Sequence, residues 1–232
     1  MKVLHIIASP RDDSSNSLKI STEFLQALME QHDEVEVDVI NLFNEELPSV
    51  AGNNIETKYT LMMGQPIERS HIESWRRIES LIEHFVAADI YLLTTPMWNF
   101  SIPYALKYYI DCVVQPGYLF TYTDLGQPVP LVLGKKMICV TTRGGDYSPG
   151  GPMHAYDFQE PYLRTIFGFV GITDIQFVNV QPTDVNLELR EAAMTHAIEV
   201  VREIAKSSIA ESSPSIEATD IPVGLKPQPI NK

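Results

Sequence analysis

Three short segments of this 232-residue chain carry residue types suited to holding a ligand. Pro96-Met97-Trp98-Asn99-Phe100 sets apolar and flat aromatic side chains beside a carboxamide and freed backbone groups. A planar, partly polar ring system needs that mixture. Ser9-Pro10-Arg11-Asp12-Asp13-Ser14-Ser15-Asn16-Ser17 supplies hydroxyls and an amide just ahead of a helical pattern. Such a segment can hold a phosphate without lysine, because helix-start N–H groups and the positive end of the dipole add to the hydroxyls. An ordinary Ser/Asn helix cap uses the same residues. Thr142-Arg143-Gly144-Gly145-Asp146-Tyr147 has paired glycines that let backbone approach a ligand edge; a surface loop has the same composition.

The elements around these segments place them together. Residues 2–8 and 89–95 are β-rich runs that end in Ser-Pro and in proline, and residues 135–142 form a third apolar run. Residues 35–41 and 174–180 complete five predicted strands. Helical spacing marks residues 17–31, with Ser21, Phe24, Leu25 and Leu28 on one face, and 69–87, with Ile72, Trp75, Ile78, Ile82 and Phe85. It also marks 101–115, where Ile102, Leu106, Tyr109, Ile110 and Val113 are buried, and 157–169 and 186–206. Strands alternating with helices predict an α/β fold, a doubly wound five-stranded parallel sheet with helices on both faces. Ligands of such sheets bind outside the carboxyl ends of the strands, and all three segments follow strands. Residues 42–65 are irregular, with Pro48, Gly52 and Asn53-Asn54, and a connection of that length usually carries function or covers a site. Residues 117–134 alternate aromatic and polar residues with turn signals, as a protruding hairpin would.

Composition excludes several classes. A formal charge of −13 argues against nucleic acid or an anionic membrane as partner. The apolar run 3–8 is too short for a signal peptide, and no stretch approaches the roughly 18 apolar residues of a membrane span. Cys112 and Cys139 are expected as buried free thiols, which fits a cytoplasmic setting. The six histidines have no metal-ligand spacing, so no metal is expected, and His154 is read as a solvated loop residue. Neither a Walker loop, nor G-x-G-x-x-G after the first strand, nor G-x-S-x-G occurs. The domain is expected to span residues 1–206. The remaining residues, 207–232, hold five Ser and four Pro without apolar period and are expected to be a disordered tail.

Taken together, Ser9 with Ser15-Asn16-Ser17, the 96–100 segment leading to Ile102-Pro103 and Leu106-Lys107, Phe120-Thr121-Tyr122-Thr123, Gly134-Lys135-Lys136 and Thr142-Arg143-Gly144-Gly145 resemble the FMN-dependent NADH-azoreductase family. So does the stretch from Pro161-Tyr162-Leu163 to Phe167-Gly168-Phe169-Val170-Gly171-Ile172-Thr173-Asp174. The resemblance is collinear over about residues 1–206. It implies a flavodoxin-like fold, a homodimer with active sites at its interface, one FMN per subunit, and two-electron reduction of quinones and azo compounds by NADH in a ping-pong cycle. The family's phosphate contacts fall on Ser9, Ser15, Asn16 and Ser17. Its isoalloxazine contacts fall on Met97, Trp98, Asn99 and Phe100, and on Thr142, Arg143, Gly144 and Gly145. Trp98 stands where the family usually has Tyr, and Thr142 where Ser is common.

In this reading the flavin carries the hydride and no side-chain nucleophile is required. Tyr147 is a candidate for hydrogen-bonding a substrate oxygen or delivering a proton, with packing against the ring as the alternative. Phe120, Tyr122 and Phe167 are candidates for lining the acceptor pocket. FMN rather than FAD is expected, because there is one phosphate loop and no fingerprint for an adenosine half. The rival reading is an electron-transfer flavodoxin that serves a protein partner.

Overall fold

The computed structural model describes residues 1–207. In chain order it contains β1 (Lys2–Ile7), α1 (Asn16–Gln31), β2 (Glu36–Asn41), α2 (Asn53–Met62), α3 (Ile72–Val86), β3 (Ile90–Pro96) and α4 (Tyr104–Val113). A small hairpin follows, β4 (Phe120–Tyr122) with β5 (Pro128–Pro130), then β6 (Lys136–Thr142), α5 (Gln159–Val170), β7 (Asp174–Val180) and α6 (Leu187–Ser207). The five long strands are all parallel and lie in the order β2-β1-β3-β6-β7, the order expected of a flavodoxin-like sheet. Ser207, expected to open the tail, is instead the last residue of α6. The rest of that expected tail, residues 208–232, lies outside the described residues.

Alternation along each strand divides the core into two layers. Leu4 and Ile6 of β1, with Tyr91 and Leu93 of β3, face Trp75, Phe85, Leu106, Tyr109 and Phe167 of α3, α4 and α5. Val3, Leu92, Ile138 and Val140 face Phe24 and Leu28 of α1 and Val201 of α6. Each fully buried large side chain of these layers contributes about 1.5–3 kcal/mol. Because β3 is covered on both faces, all but its last residue are buried, and it reads in sequence as a continuous apolar run.

Two expectations are corrected here. The irregular connection 42–65 contains a helix, α2, whose buried residues are the polar Asn54 and Thr57, while Ile55, Tyr59 and Met62 are exposed. Its pattern is inverted, so the apolar period points outward and gives no amphipathic signal. Phe167 does not line a pocket. It is fully buried in the core, nearly parallel to Phe85 with ring centroids 6.3 Å apart.

Glycine matters at the end of α5. Gly171 adopts φ 109°, and a Cβ there would sit 2.8 Å from the Val132 carbonyl. The helix end thus comes close to the strand-like segment after β5, where the Val132 N–H donates to the Val170 carbonyl at 2.9 Å.

Candidate functional site

The ends of β1, β3 and β6 are neighbours in the sheet, so the three segments singled out in the sequence leave from one edge. Ala8 N–H donates to Thr94 C=O at 2.8 Å, and Met97 N–H donates to Thr142 C=O at 2.8 Å.

After β1 the chain makes a 3-10 turn and enters α1 with Ser15 as its cap; Ser15 Oγ accepts from Leu18 N–H at 3.3 Å. Ser9 Oγ donates to Ser15 Oγ at 2.9 Å, and Ser15 Oγ and Ser17 Oγ lie 3.1 Å apart. All three serines are buried and Asn16 is half-buried. Helix geometry leaves the Asn16 and Ser17 amides without an intrahelical acceptor. The result is a compact hydroxyl cluster at a dipole's positive end, a donor set that fits a phosphate.

Beneath it runs a second buried polar chain. Ser21 Oγ of α1 hydrogen bonds Thr94 Oγ1, and His5 Nε2 lies 2.8 Å from the same hydroxyl. Burial lowers the His5 pKa to about 4, so the ring is neutral at physiological pH.

After β3 the backbone reverses in two residues. Trp98 N–H donates to Ser101 C=O at 2.9 Å and Ser101 N–H to Trp98 C=O at 3.0 Å, while Asn99 and Phe100 hold φ 47° and 70°. Positive φ at both central residues marks the mirror-image turn of tight hairpins. Asn tolerates that region, whereas Phe is an outlier whose strain costs roughly 1–3 kcal/mol. The turn keeps Trp98, Asn99 and Phe100 exposed, with Met97 half-buried at its root. Trp98 packs against Phe43 and Tyr104, with ring centroids 5.8 and 6.3 Å away, and Phe100 lies 5.4 Å from Tyr156. Phe43 sits in the connection read as irregular, and nothing in its sequence context marked it.

After β6, Thr142 is half-buried, and Asp184 N–H holds the Gly144 carbonyl at 3.1 Å. Gly145 makes no backbone hydrogen bond among the described residues, so its amide is free to meet a ligand oxygen. Tyr147 is buried beside it; its N–H donates to Gln181 Oε1 at 3.1 Å and its carbonyl lies 3.1 Å from His154 Nδ1. His154 is exposed, as expected of a solvated loop residue.

Arg143 departs from its expected role as a ring contact. Its side chain is only 1% exposed and turns inward, with Nη1 2.9 Å from Asp157 Oδ2, Nε donating to Gln159 Oε1 at 3.2 Å, and Nη2 3.7 Å from Glu160 Oε2. Its backbone is engaged too, through Val180 C=O and Thr183 N–H. Burial lowers the guanidinium pKa, and Asp157 and Glu160 oppose that shift. Arg143 therefore supports the loop and does not present its charge to a ligand. Asp157 and Gln159 were missed in the sequence, since a polar residue at a helix start reads as a cap.

The other reactive groups are quiet. Cys112 and Cys139 are buried free thiols, and burial pushes the Cys112 thiol up to about 12 and that of Cys139 higher still. Among the described residues no group of His, Cys, Asp or Glu could hold a metal ion, and no helix is long and apolar enough to cross a membrane.

Comparison with known proteins agrees with this geometry. The family described as "Flavodoxin-like fold" matches residues 1–205. The chain is 35% identical to the FMN-dependent NADH:quinone oxidoreductase of Nitratidesulfovibrio vulgaris, over 88% of this chain and 97% of that one. It is 41% identical to the enzyme of the same name from Nostoc punctiforme, over 77% and 86%. Among solved structures, an azoreductase from Bacillus anthracis superposes with a TM-score of 0.80 at 28% identity, covering 89% of this chain and 99% of that one. An FMN-dependent NADH-azoreductase from the same species, in complex with FMN, gives 0.76 at 28% identity, covering 88% and 99%. The chain belongs to the flavodoxin-like family that includes the FMN-dependent NADH:quinone oxidoreductases.

Proposed function

We propose that this chain is an FMN-dependent oxidoreductase that passes two electrons from NADH to quinones and azo compounds. The observation that carries the reading is the juxtaposition, at one sheet edge, of a buried hydroxyl cluster on a helix start, a strained aromatic turn and a glycine amide with no hydrogen-bond partner among the described residues. Those groups fit the three parts of FMN. Ser9, Ser15, Asn16 and Ser17 would hold the phosphate. Met97, Trp98, Asn99 and Phe100 would flank the ring system, with Thr142, Gly144 and Gly145 at its polar edge.

When bound, FMN supplies the hydride chemistry. The chain's own residues bind it, orient it and set its surroundings. The Gly145 amide would donate to the ring's oxygen edge and stabilise negative charge there, as a fixed donor does in a partly dry site. Tyr147, buried beside Gly145, packs against the loop. Donor and acceptor occupy one place in turn, which makes the kinetics ping-pong.

We read the protein as a homodimer. Tyr104 is 70% exposed on α4 beside the exposed Trp98 turn, an aromatic surface that a second copy would cover. Tyr122, half-buried on the hairpin, is the better candidate for an acceptor contact, because Phe120 is buried against it and Phe169. The two unpaired thiols fit a reducing cytoplasm.

The purified protein tests the reading directly. It should carry a yellow flavin that chromatography after denaturation identifies as FMN, and it should oxidise NADH when a benzoquinone is supplied. FAD as the released species, or flavin without turnover, would overturn it.

A further inference from the structure

Residues 157–159 do more than begin a helix. The Phe158 N–H donates to the Phe100 carbonyl at 3.0 Å, on the strained central residue of the 98–101 turn. One residue on, Gln159 Nε2 donates to the Pro96 carbonyl at 2.9 Å, at the other end of the same excursion. Gln159 is fully buried, and its Oε1 accepts from Arg143 Nε, whose Nη1 meets Asp157. Asp157 Oδ1 in turn accepts from the Gln159 and Glu160 amides at 2.9 and 3.1 Å, which fixes the side chain that faces Arg143. The Arg143 backbone is itself pinned between Val180 and Thr183. One amide side chain thus joins the end of β3 to the first residue after β6.

A backbone held at positive φ by a phenylalanine persists only where its surroundings over-determine it. The hydrogen bonds within the turn do not suffice for that, because they would form equally in a relaxed turn with glycine. Ring contacts from Phe43, Tyr104 and Tyr156 reach the turn's side chains, and residues 158 and 159 supply hydrogen bonds to its backbone carbonyls. We infer that Gln159 is a positioning residue for the ring site: its carboxamide, gripped by Arg143, clasps the aromatic turn to the Gly144-Gly145 loop and holds the turn in its strained form. This rests on the flavin reading for its consequence, although the clasp itself is a property of the protein without flavin.

The test uses the full chain with Gln159→Met, which keeps side-chain volume and removes both hydrogen bonds. In flavin-free protein, amide exchange at Trp98 and Ser101 should quicken by about tenfold or more, while Ile6 in the central strand stays protected. Affinity for added FMN, followed by flavin fluorescence, should fall by about tenfold. In a Phe100→Gly background, where positive φ costs nothing, the same substitution should weaken FMN binding less than about threefold further. A merely structural role would make the two substitutions additive. Unchanged exchange at Trp98 and Ser101, or additive losses, would overturn the proposal. Should Gln159→Met fail to fold, the near-isosteric Gln159→Glu keeps an acceptor for Arg143 and sets a carboxylate oxygen in place of the donor to Pro96; the same exchange and binding changes are expected of it. Failure of the unsubstituted protein to bind FMN would remove the flavin reading and leave the exchange measurement to decide the clasp.

Discussion

The Met97 amide and the Thr142 carbonyl, 2.8 Å apart, carry the sheet's hydrogen bonding one residue past β3 and so bring the aromatic turn and the glycine loop out at the same height. Pro96 and Thr142 are register partners on adjacent parallel strands, so neither segment can shift along the sheet without the other. On the proposed reading, a ligand held against Trp98-Asn99-Phe100 would also meet Gly144-Gly145. The serine cluster leaves from β1 on the other side of β3, where it would add a third wall.

Helix stability and phosphate binding should separate at Asn16, the first residue of α1. An aspartate there interacts favourably with the helix dipole, by about 0.3–1 kcal/mol, so Asn16→Asp should unfold no more easily than the parent. The same negative charge repels the phosphate, so FMN affinity should fall by about tenfold or more. Thermal unfolding of flavin-free protein and fluorescence titration with FMN check the two halves. A loss of stability with intact affinity would show that the serine cluster is only a cap.

Acid should weaken the fold through His5. Burial lowers its folded pKa from 6.5 to about 4, so below pH 6.5 the unfolded chain binds the proton more readily than the folded one. The sign follows: this contribution is complete above the unfolded pKa and is lost as pH falls toward the folded one, on the order of 3 kcal/mol in all. His5→Gln keeps a polar partner for Thr94 and does not titrate. Urea unfolding between pH 4 and 7 should show the parent losing stability faster than this variant as pH falls. Parallel profiles would mean that burial in the fold does not shift the His5 pKa.

Much of this was legible in the sequence because tertiary packing and local pattern agree. Trp75, Ile78, Ile82 and Phe85 recur at helical spacing because they do face the sheet, and β3 is continuously apolar because both its faces are covered. The site segments were legible for another reason: proline, glycine and serine clusters at strand ends need few tertiary contacts to be recognised. What failed was orientation. Arg143 in a glycine-rich loop looks like a ligand contact until its two carboxylates, 14 and 17 residues later, are seen to draw it inward. The helix α2 was hidden because it buries Asn54 and Thr57, and Asn54 Nδ2 holds the Ser49 carbonyl at 2.7 Å in place of an apolar contact. The Pro96–Gln159 tie spans 63 residues and joins a backbone carbonyl to a common polar side chain, which no local pattern encodes.

Two glycines three residues apart, Gly168 within α5 and Gly171 just after it, should respond to alanine with opposite signs. Gly168 is helical, and a Cβ there meets nothing within 4 Å, so Gly168→Ala should stabilise by about 0.5–1 kcal/mol. Gly171, at φ 109°, would drive its Cβ to 2.8 Å from the Val132 carbonyl, a backbone atom that has little room to yield. Gly171→Ala should therefore cost about 2 kcal/mol, or roughly 4–8 °C in Tm for a domain of this size. Scanning calorimetry on both variants decides it, and equal shifts would mean that the close approach of α5 to the hairpin side is absent in solution.

The kinetic prediction follows from how the three walls are shared. On the proposed reading, the turn, the glycine loop and the serine cluster would together hold one ring. NADH and quinone would then visit the same place in succession. Double-reciprocal plots with NADH and a benzoquinone should give parallel lines, and excess quinone should inhibit competitively against NADH. Lines that intersect would require both substrates to be bound together and would overturn the single-site reading. The preference between cofactors has its own basis here. Arg143, the cation of the glycine loop, is buried against Asp157 and Glu160 and has no exposed face to offer a 2′-phosphate. Binding an additional dianion beside these acidic groups costs energy, so kcat/KM should be at least about tenfold higher with NADH than with NADPH. A higher value with NADPH would show that a cation from elsewhere in the assembly completes the donor site.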